Sequence, residues 1–202
     1  MALHAKELTN EPGRGGASAS ARPGHARGRV LAAIAVIAAV WVVLDQVTKA
    51  YFNSFDVGAV VGGPFAGLIQ FRLVHNTGMA WGLFGDSTLA LGVMSVAVCC
   101  FFAAYAFICA PRLNWAEAIG LALVIAGGIG NACDRFALGY VVDFIETAFM
   151  DFPVFNVADI GVTCGFVLFL IGLFVSMSRD GDSCEPDAGD SDAHAPHARK
   201  DG

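Results

Sequence analysis

Four apolar runs set the plan of the chain. Val30 to Leu44 holds no charged residue, and its helix can continue through DQVTKAYF. Thr88 to Ala110, Trp115 to Phe136 and Val157 to Met177 follow. The last three runs, and the first together with its continuation, reach the roughly 20 residues that an α-helix needs to cross a hydrocarbon core about 30 Å thick. Pro111 stops the second run, and Asn114 with Glu117 forms a capping-box pattern that opens the third. Asp86 and Ser87 offer an N-cap for the second.

The stretches between the runs read differently. Gly58, Gly62, Gly63, Pro64 and Gly67 interrupt any helix, while Ile69-Gln70-Phe71-Arg72-Leu73 alternates as a short strand does. Residues 53–87 are expected to form a small β-rich element on the membrane surface. Residues 137–157 are expected to form a second surface loop, with Phe144, Ala148, Phe149 and Phe152 toward the lipid. The fold class is an all-α polytopic membrane protein of four transmembrane helices with a small β-rich extracytoplasmic element. Residues 30–177 make the membrane domain. Residues 1–29 form a basic, disordered segment, and residues 178–202 a disordered acidic tail.

Composition strengthens the membrane assignment. The 202 residues are 56% hydrophobic and 15% charged, against about 25% charged in average soluble chains. Mean hydropathy is +0.62. The net charge of −6 owes much to the tail, with Asp180, Asp182, Glu185, Asp187, Asp190 and Asp192. No basic nucleic-acid-binding surface is indicated. A secretory signal peptide would end its apolar run in a small-residue cleavage site. The first run ends in Asp45-Gln46-Val47-Thr48-Lys49 instead, so it reads as an uncleaved span.

Four spans place both termini on one side. Arg22, Arg27 and Arg29 flank the first span, Arg112 separates the second from the third, and Arg179 follows the fourth. All fall on one face, which the positive-inside rule makes cytoplasmic. Both long loops then lie outside, and the unusual polar residues gather at that outer boundary. Asp45 and Lys49 end span one, and Asn76 and Gly78 lie in the first loop. Asn131, Asp134 and Arg135 end span three. Asp143 is in the second loop, and Asn156 to Asp159 open span four. Solvated helix ends are the competing reading, but those would be shared between both faces.

The aspartates sort by local partner. Asp45 and Lys49 are at i,i+4 and can pair. Asp134 has Arg135 beside it and Asn131 one turn back. Asp143 and Asp159 have no basic residue at helical spacing. If the fold brings them together, both cannot ionise easily; one keeps a proton while the other accepts one from water. That is the apparatus for attacking an amide carbonyl. Gly127, Gly128 and Gly130 fit close helix contact; GGIGN lacks the Lys and Ser/Thr of a phosphate loop. Asn76 and Asn156 can hold a peptide backbone, or simply satisfy their own loops.

Other chemistries are less well served. The six cysteines form no CxxC pair or zinc-spaced cluster, and no HExxH occurs. His194 and His197 fall in the tail. His75 reads as a local hydrogen-bonding residue, and GDS at Gly85–Ser87 is no nucleophile elbow. No metal or other cofactor is expected. Two rivals to a hydrolase are a proton-coupled transporter using the same aspartates and a purely structural membrane scaffold. Transporters usually carry internal repeats and mid-membrane sites; no repeat is visible here.

DQVTK (Asp45–Lys49), NTGMAW (Asn76–Trp81), GGIGNACDR (Gly127–Arg135), VVDF (Val141–Phe144) and FNVAD (Phe155–Asp159) together resemble the successive motifs of the lipoprotein signal peptidase family, signal peptidase II. The resemblance covers residues 30–177. It implies an intramembrane aspartic endopeptidase of the bacterial cytoplasmic membrane, with its site at the outer face. It further implies cleavage of diacylglyceryl-modified prolipoproteins before the lipidated cysteine. Under that resemblance Asp143 and Asp159 are the catalytic pair. Asn76, Gly78, Asn131, Arg135, Asn156 and Ala158 surround them, and Asp45 and Lys49 are a supporting pair; Asp134 is a further brace. The expected partners are the lipidated precursor and membrane lipids, with the enzyme acting as a monomer.

Overall fold

The structure, a computed structural model, describes residues 23–78 and 87–182. The segment before Pro23, the tail from Ser183 and residues 79–86 lie outside the described residues. So, therefore, do the end of NTGMAW, the cap candidate Asp86, and His194 and His197.

The element order is α1 (Pro23–Phe52), β1 (Val60–Phe65), β2 (Ile69–Asn76), α2 (Thr88–Cys109), α3 (Trp115–Ala137), β3 (Val141–Thr147) and α4 (Val157–Asp182). All four helices are long and apolar enough to cross a membrane. α1 begins seven residues ahead of Val30, because Pro at the first position suits a helix start and nothing in HARGR stops it. α3 opens on the expected capping box: Asn114 Oδ1 accepts from Glu117 N at 3.0 Å, and Glu117 Oε2 accepts from Asn114 N at 2.8 Å. Ser87 occupies the N-cap of α2 but makes no side-chain capping bond.

α3 is the central helix. Within its most apolar window 61% is buried inside the protein, against 17% for α1 and 22% for α2 and α4. The outer helices turn residues such as Val36, Val40, Val43, Phe101, Ile108 and Phe174 outward. That inversion suits lipid, where an apolar exterior carries no hydration penalty. Small residues let α4 approach α3. A Cβ on Gly120 would lie 2.5 Å from the Phe169 nitrogen and 2.6 Å from the Gly165 carbonyl. The three glycines flagged in the sequence do sit at close approaches, in three directions. Gly127 faces the Ala158 carbonyl, Gly128 the Cys99 sulfur, and Gly130 the Asp45 carboxylate.

The β-rich element is a three-stranded antiparallel sheet in the order β1-β2-β3. Its third strand comes from the segment 137–157, expected only as a loop. VVDFI has no polar alternation because all five residues are buried. Phe144 accordingly does not face lipid. It is 3% exposed and stacks on Phe52 with ring centroids 4.1 Å apart, over a small core with Leu73, Val142 and Ile145. Ala148, Phe149 and Phe152 are exposed. The register sets Val74 opposite Asp143 and Asn76 opposite Val141. Phe155 then exchanges hydrogen bonds with Ile145 at 2.8 and 3.0 Å. β3 is thus held between β2 and the lead-in to α4, which brings Asp143 beside both Asn76 and Asn156.

Candidate active site

The last turns of α1 and α3 meet through one cation. Lys49 Nζ lies 2.9 Å from Asp45 Oδ2, 3.1 Å from Asp134 Oδ2 and 2.9 Å from Asn131 Oδ1. An ammonium has three donors, and all three are used. Asp45, Lys49 and Asp134 are each no more than 3% exposed. The cation of Asp134 is therefore Lys49 and not Arg135, the neighbour expected from sequence. Consecutive helical residues point about 100° apart and do not face each other. Asp134 Oδ2 also accepts from Val142 N at 3.1 Å, tying the strand down one residue before Asp143.

FNVAD forms the N-terminus of α4. Asn156 Oδ1 accepts from Asp159 N at 3.0 Å, and Asp159 Oδ2 accepts from Asn156 N at 3.0 Å. This reciprocal pair closes a capping box. Asp45 Oδ1 accepts from Ala158 N at 2.8 Å, so a second carboxylate sits where the helix dipole favours negative charge. Ala158 contributes through its backbone, and only a small side chain fits its fully buried position.

Asn156, also fully buried, bridges the two aspartates without local cations. Its Nδ2 donates to Asp143 Oδ1 at 2.7 Å and to Asn131 Oδ1 at 3.1 Å. Asn131 Nδ2 in turn donates to Asp159 Oδ1 at 2.8 Å. The other oxygen of Asp143 accepts from Asn76 Nδ2 at 2.9 Å. Asn76 is held by its own turn, with Gly78 N donating to its Oδ1 at 3.0 Å. Arg135 Nη1 donates to Asn131 O at 3.3 Å, and its guanidinium lies within electrostatic reach of Asp159, Asp143 and Asp134. The folded chain thus supplies Asp143 and Asp159 with nearby positive charge, although neither is ion-paired among the described residues.

Asp143 is 2% exposed. Burial, then the charge of Asp159, pushes its pKa up to about 7; the bonds from Asn76 and Asn156 and the charge of Lys49 oppose the rise. Asp143 and Asp159 both line a cavity of about 410 Å³, walled by Phe152, Pro153, Ile160, Thr163 and Cys164. His75 lies to one side, its Nε2 2.8 Å from Asn53 Oδ1 and its ring stacked on Tyr140; burial lowers its pKa.

One participant escaped sequence reasoning. Gln46 Nε2 lies 3.1 Å from Asp134 Oδ1, 3.2 Å from Asp45 Oδ2 and 3.2 Å from the Gly130 carbonyl. A polar amide inside DQVTK, between two residues singled out for their charge, was the available signal. The walls of the cavity on α4 carry no sequence signal beyond ordinary apolar spacing.

Membrane-length helices with a carboxyl pair, Asp143 buried and Asp159 half-buried, beside an apolar cavity define a polytopic membrane protein equipped for acid–base chemistry. The family model for signal peptidase (SPase) II matches residues 37–175. The chain is 36% identical over 148 residues to the lipoprotein signal peptidase of Microcystis aeruginosa, covering 71% of this chain and 93% of that one. It is 38% identical over 132 residues to that of Nostoc punctiforme, covering 65% and 82%. A solved bacterial membrane enzyme is similar at 30% identity and a TM-score of 0.66, covering 73% of this chain and 91% of its own. The chain belongs to the lipoprotein signal peptidase family, the signal peptidase II group of aspartic peptidases. Family membership decides for the peptidase over a transporter or a scaffold.

Proposed function

We propose that Asp143 and Asp159 are the catalytic pair, acting on prolipoproteins whose target cysteine carries diacylglycerol. The observation that carries this reading is that both carboxyls line one cavity and both accept from Asn156, Asp143 from its side-chain amide and Asp159 from its backbone N. Near neutral pH Asp143 holds the shared proton and Asp159 is the base. Asp159 takes a proton from water as the oxygen attacks the scissile carbonyl. Asp143 gives its proton to the carbonyl oxygen, forming a neutral gem-diol. As the C–N bond breaks, Asp159 delivers its proton to the leaving amine and one gem-diol hydroxyl returns a proton to Asp143, so the pair is restored. Asn76, Gly78, Asn131, Arg135, Asn156 and Ala158 orient the pair. Asp45, Lys49 and Asp134 hold the ends of α1, α3 and β3 together beneath it.

The site lies at the outer face of the bacterial cytoplasmic membrane, and both termini are cytoplasmic. Arg27, Arg112 and Arg179 at the opposite ends of the helices support that orientation. The scissile bond of a lipidated precursor lies at the same boundary, with its signal helix in the bilayer and its acyl chains along the spans. One chain supplies every named group, so a monomer suffices.

The deciding experiment incubates detergent-solubilised protein with a diacylglyceryl precursor and follows the shortened product. Asp143→Asn and Asp159→Asn each abolish turnover while the protein still binds precursor, and the double variant is no worse than either. Substantial cleavage by either single variant overturns the assignment. Reporter fusions after Arg112 read cytoplasmic and one at Gly62 reads external; the reverse pattern overturns the orientation.

A further inference from the structure

A second cavity, of about 610 Å³, opens at the other end of the bundle between α2, α3 and α4. Tyr105, Arg112, Glu117 and Ser176 line it together with Leu173 and Met177. Glu117 and Asp134 lie 17 positions apart on α3, about 26 Å along the axis at about 1.5 Å per residue. That is close to the thickness of one hydrocarbon core, about 30 Å. With the aspartate site at one membrane boundary, this cavity falls at the headgroup depth of the opposite leaflet.

Its charges are arranged for a dipolar ligand. Glu117 is 3% exposed. Its Oε2 is engaged by Asn114 N at 2.8 Å and by Ser176 Oγ at 3.4 Å. Its Oε1 accepts from no described residue, and no described cation lies within ion-pair distance of it. Capping α3 accounts for one oxygen only. Oε1 is not sealed in protein but open to the cavity, where it is free to accept from a ligand. Arg112 is exposed at the rim and offers a guanidinium suited to phosphate. Leu173 and Met177 continue the wall along the lipid-facing side of α4.

We propose that this cavity binds the headgroup of a phosphatidylethanolamine-type lipid. Its ammonium donates to Glu117 Oε1, its phosphate meets Arg112, and its acyl chains run down α4 past Leu173. A phosphatidylglycerol offers Arg112 the same phosphate but leaves Glu117 facing an uncharged diol. A phosphatidylcholine carries the positive charge but cannot donate a hydrogen bond. The order of preference therefore reports on Glu117.

The test is native mass spectrometry of the full chain in detergent, titrated with the three lipids on identical acyl chains. Phosphatidylethanolamine is expected to bind about tenfold more tightly than the other two, the scale of one charge-assisted hydrogen bond. Glu117→Gln removes the charge but keeps a residue that serves in a capping box, so helix α3 and precursor cleavage are retained while the preference disappears. Leu173→Trp fills the cavity from its apolar wall and lowers binding of phosphatidylethanolamine with Glu117 intact. Equal binding of the three lipids overturns the proposal. So does a phosphatidylethanolamine preference that survives Glu117→Gln, or binding of that lipid unchanged by Leu173→Trp.

Discussion

Asn156 Nδ2 lies 2.7 Å from Asp143 Oδ1, while the same side chain caps the helix that carries Asp159. One amide therefore sets the relative position of two carboxyls that come from different elements. Asn156→Ala should lower kcat by about 10–100-fold with a smaller change in KM, the scale of about 1–3 kcal/mol for a lost hydrogen bond to a charged group. Loss of the cap should cost about 1 kcal/mol of stability in addition. Steady-state cleavage of a lipidated precursor beside a thermal melt checks both.

The raised pKa of Asp143 makes a signed prediction about pH. Its folded value, about 7, exceeds the ordinary 3.8 of an unfolded Asp. The folded protein therefore binds the proton more tightly than the unfolded chain. The resulting stability is fully present below about pH 4 and is lost as pH rises through about 7. The Tm of the wild type should fall between pH 5 and pH 8, and Asp143→Asn should flatten that fall. Cleavage should decline on the alkaline side with an apparent pKa near 7, as the shared proton is lost.

Lys49 is shared by two carboxylates, which changes what each deletion leaves behind. Asp45→Asn or Asp134→Asn leaves Lys49 one anionic partner, so each should be tolerated better than Lys49→Met. The latter strands two buried carboxylates together and should cost about 3–5 kcal/mol, the scale for breaking a buried ion pair. Asp134→Asn should also lower activity, because Val142 N loses its charged acceptor one residue before Asp143. Detergent melts of the three variants, with Lys49→Met the least stable, test the order.

The helix contact at Gly120 should be intolerant of a methyl group. Gly120→Ala places a Cβ against the α4 backbone, which cannot yield as a side-chain tip can. Overpacking of this kind costs about 1–3 kcal/mol. Gly139→Ala, with no atom within 4 Å of its Cβ but a φ of +79°, should cost about 1 kcal/mol through strain alone. A thermal melt showing Gly120→Ala no less stable than Gly139→Ala would refute the close-packing account.

The spans were legible because lipid imposes a length and an apolar composition that local sequence must satisfy. Pro111, the Asn114–Glu117 box and the alternation at Ile69–Leu73 marked their elements for the same local reasons. β3 was not legible. A strand buried on both faces loses the period-two signal, so VVDFI read as loop and Phe144 as a lipid contact. Among the polar residues, sequence showed which were unusual and near which end of a span they fell, since charge in an apolar run is rare whatever it touches. It could not show which cation serves which anion. Adjacency in the chain offered Arg135 to Asp134, but the cation came from Lys49 on α1, 85 positions earlier. Hydrogen bonds and ion pairs act over about 3 Å, and only the packing of α1, α3, β3 and α4 brings these side chains that close. The same packing put Asp143 and Asp159 on the wall of one cavity, where desolvation of Asp143 and repulsion from Asp159 raise a pKa that composition and spacing leave at its ordinary value.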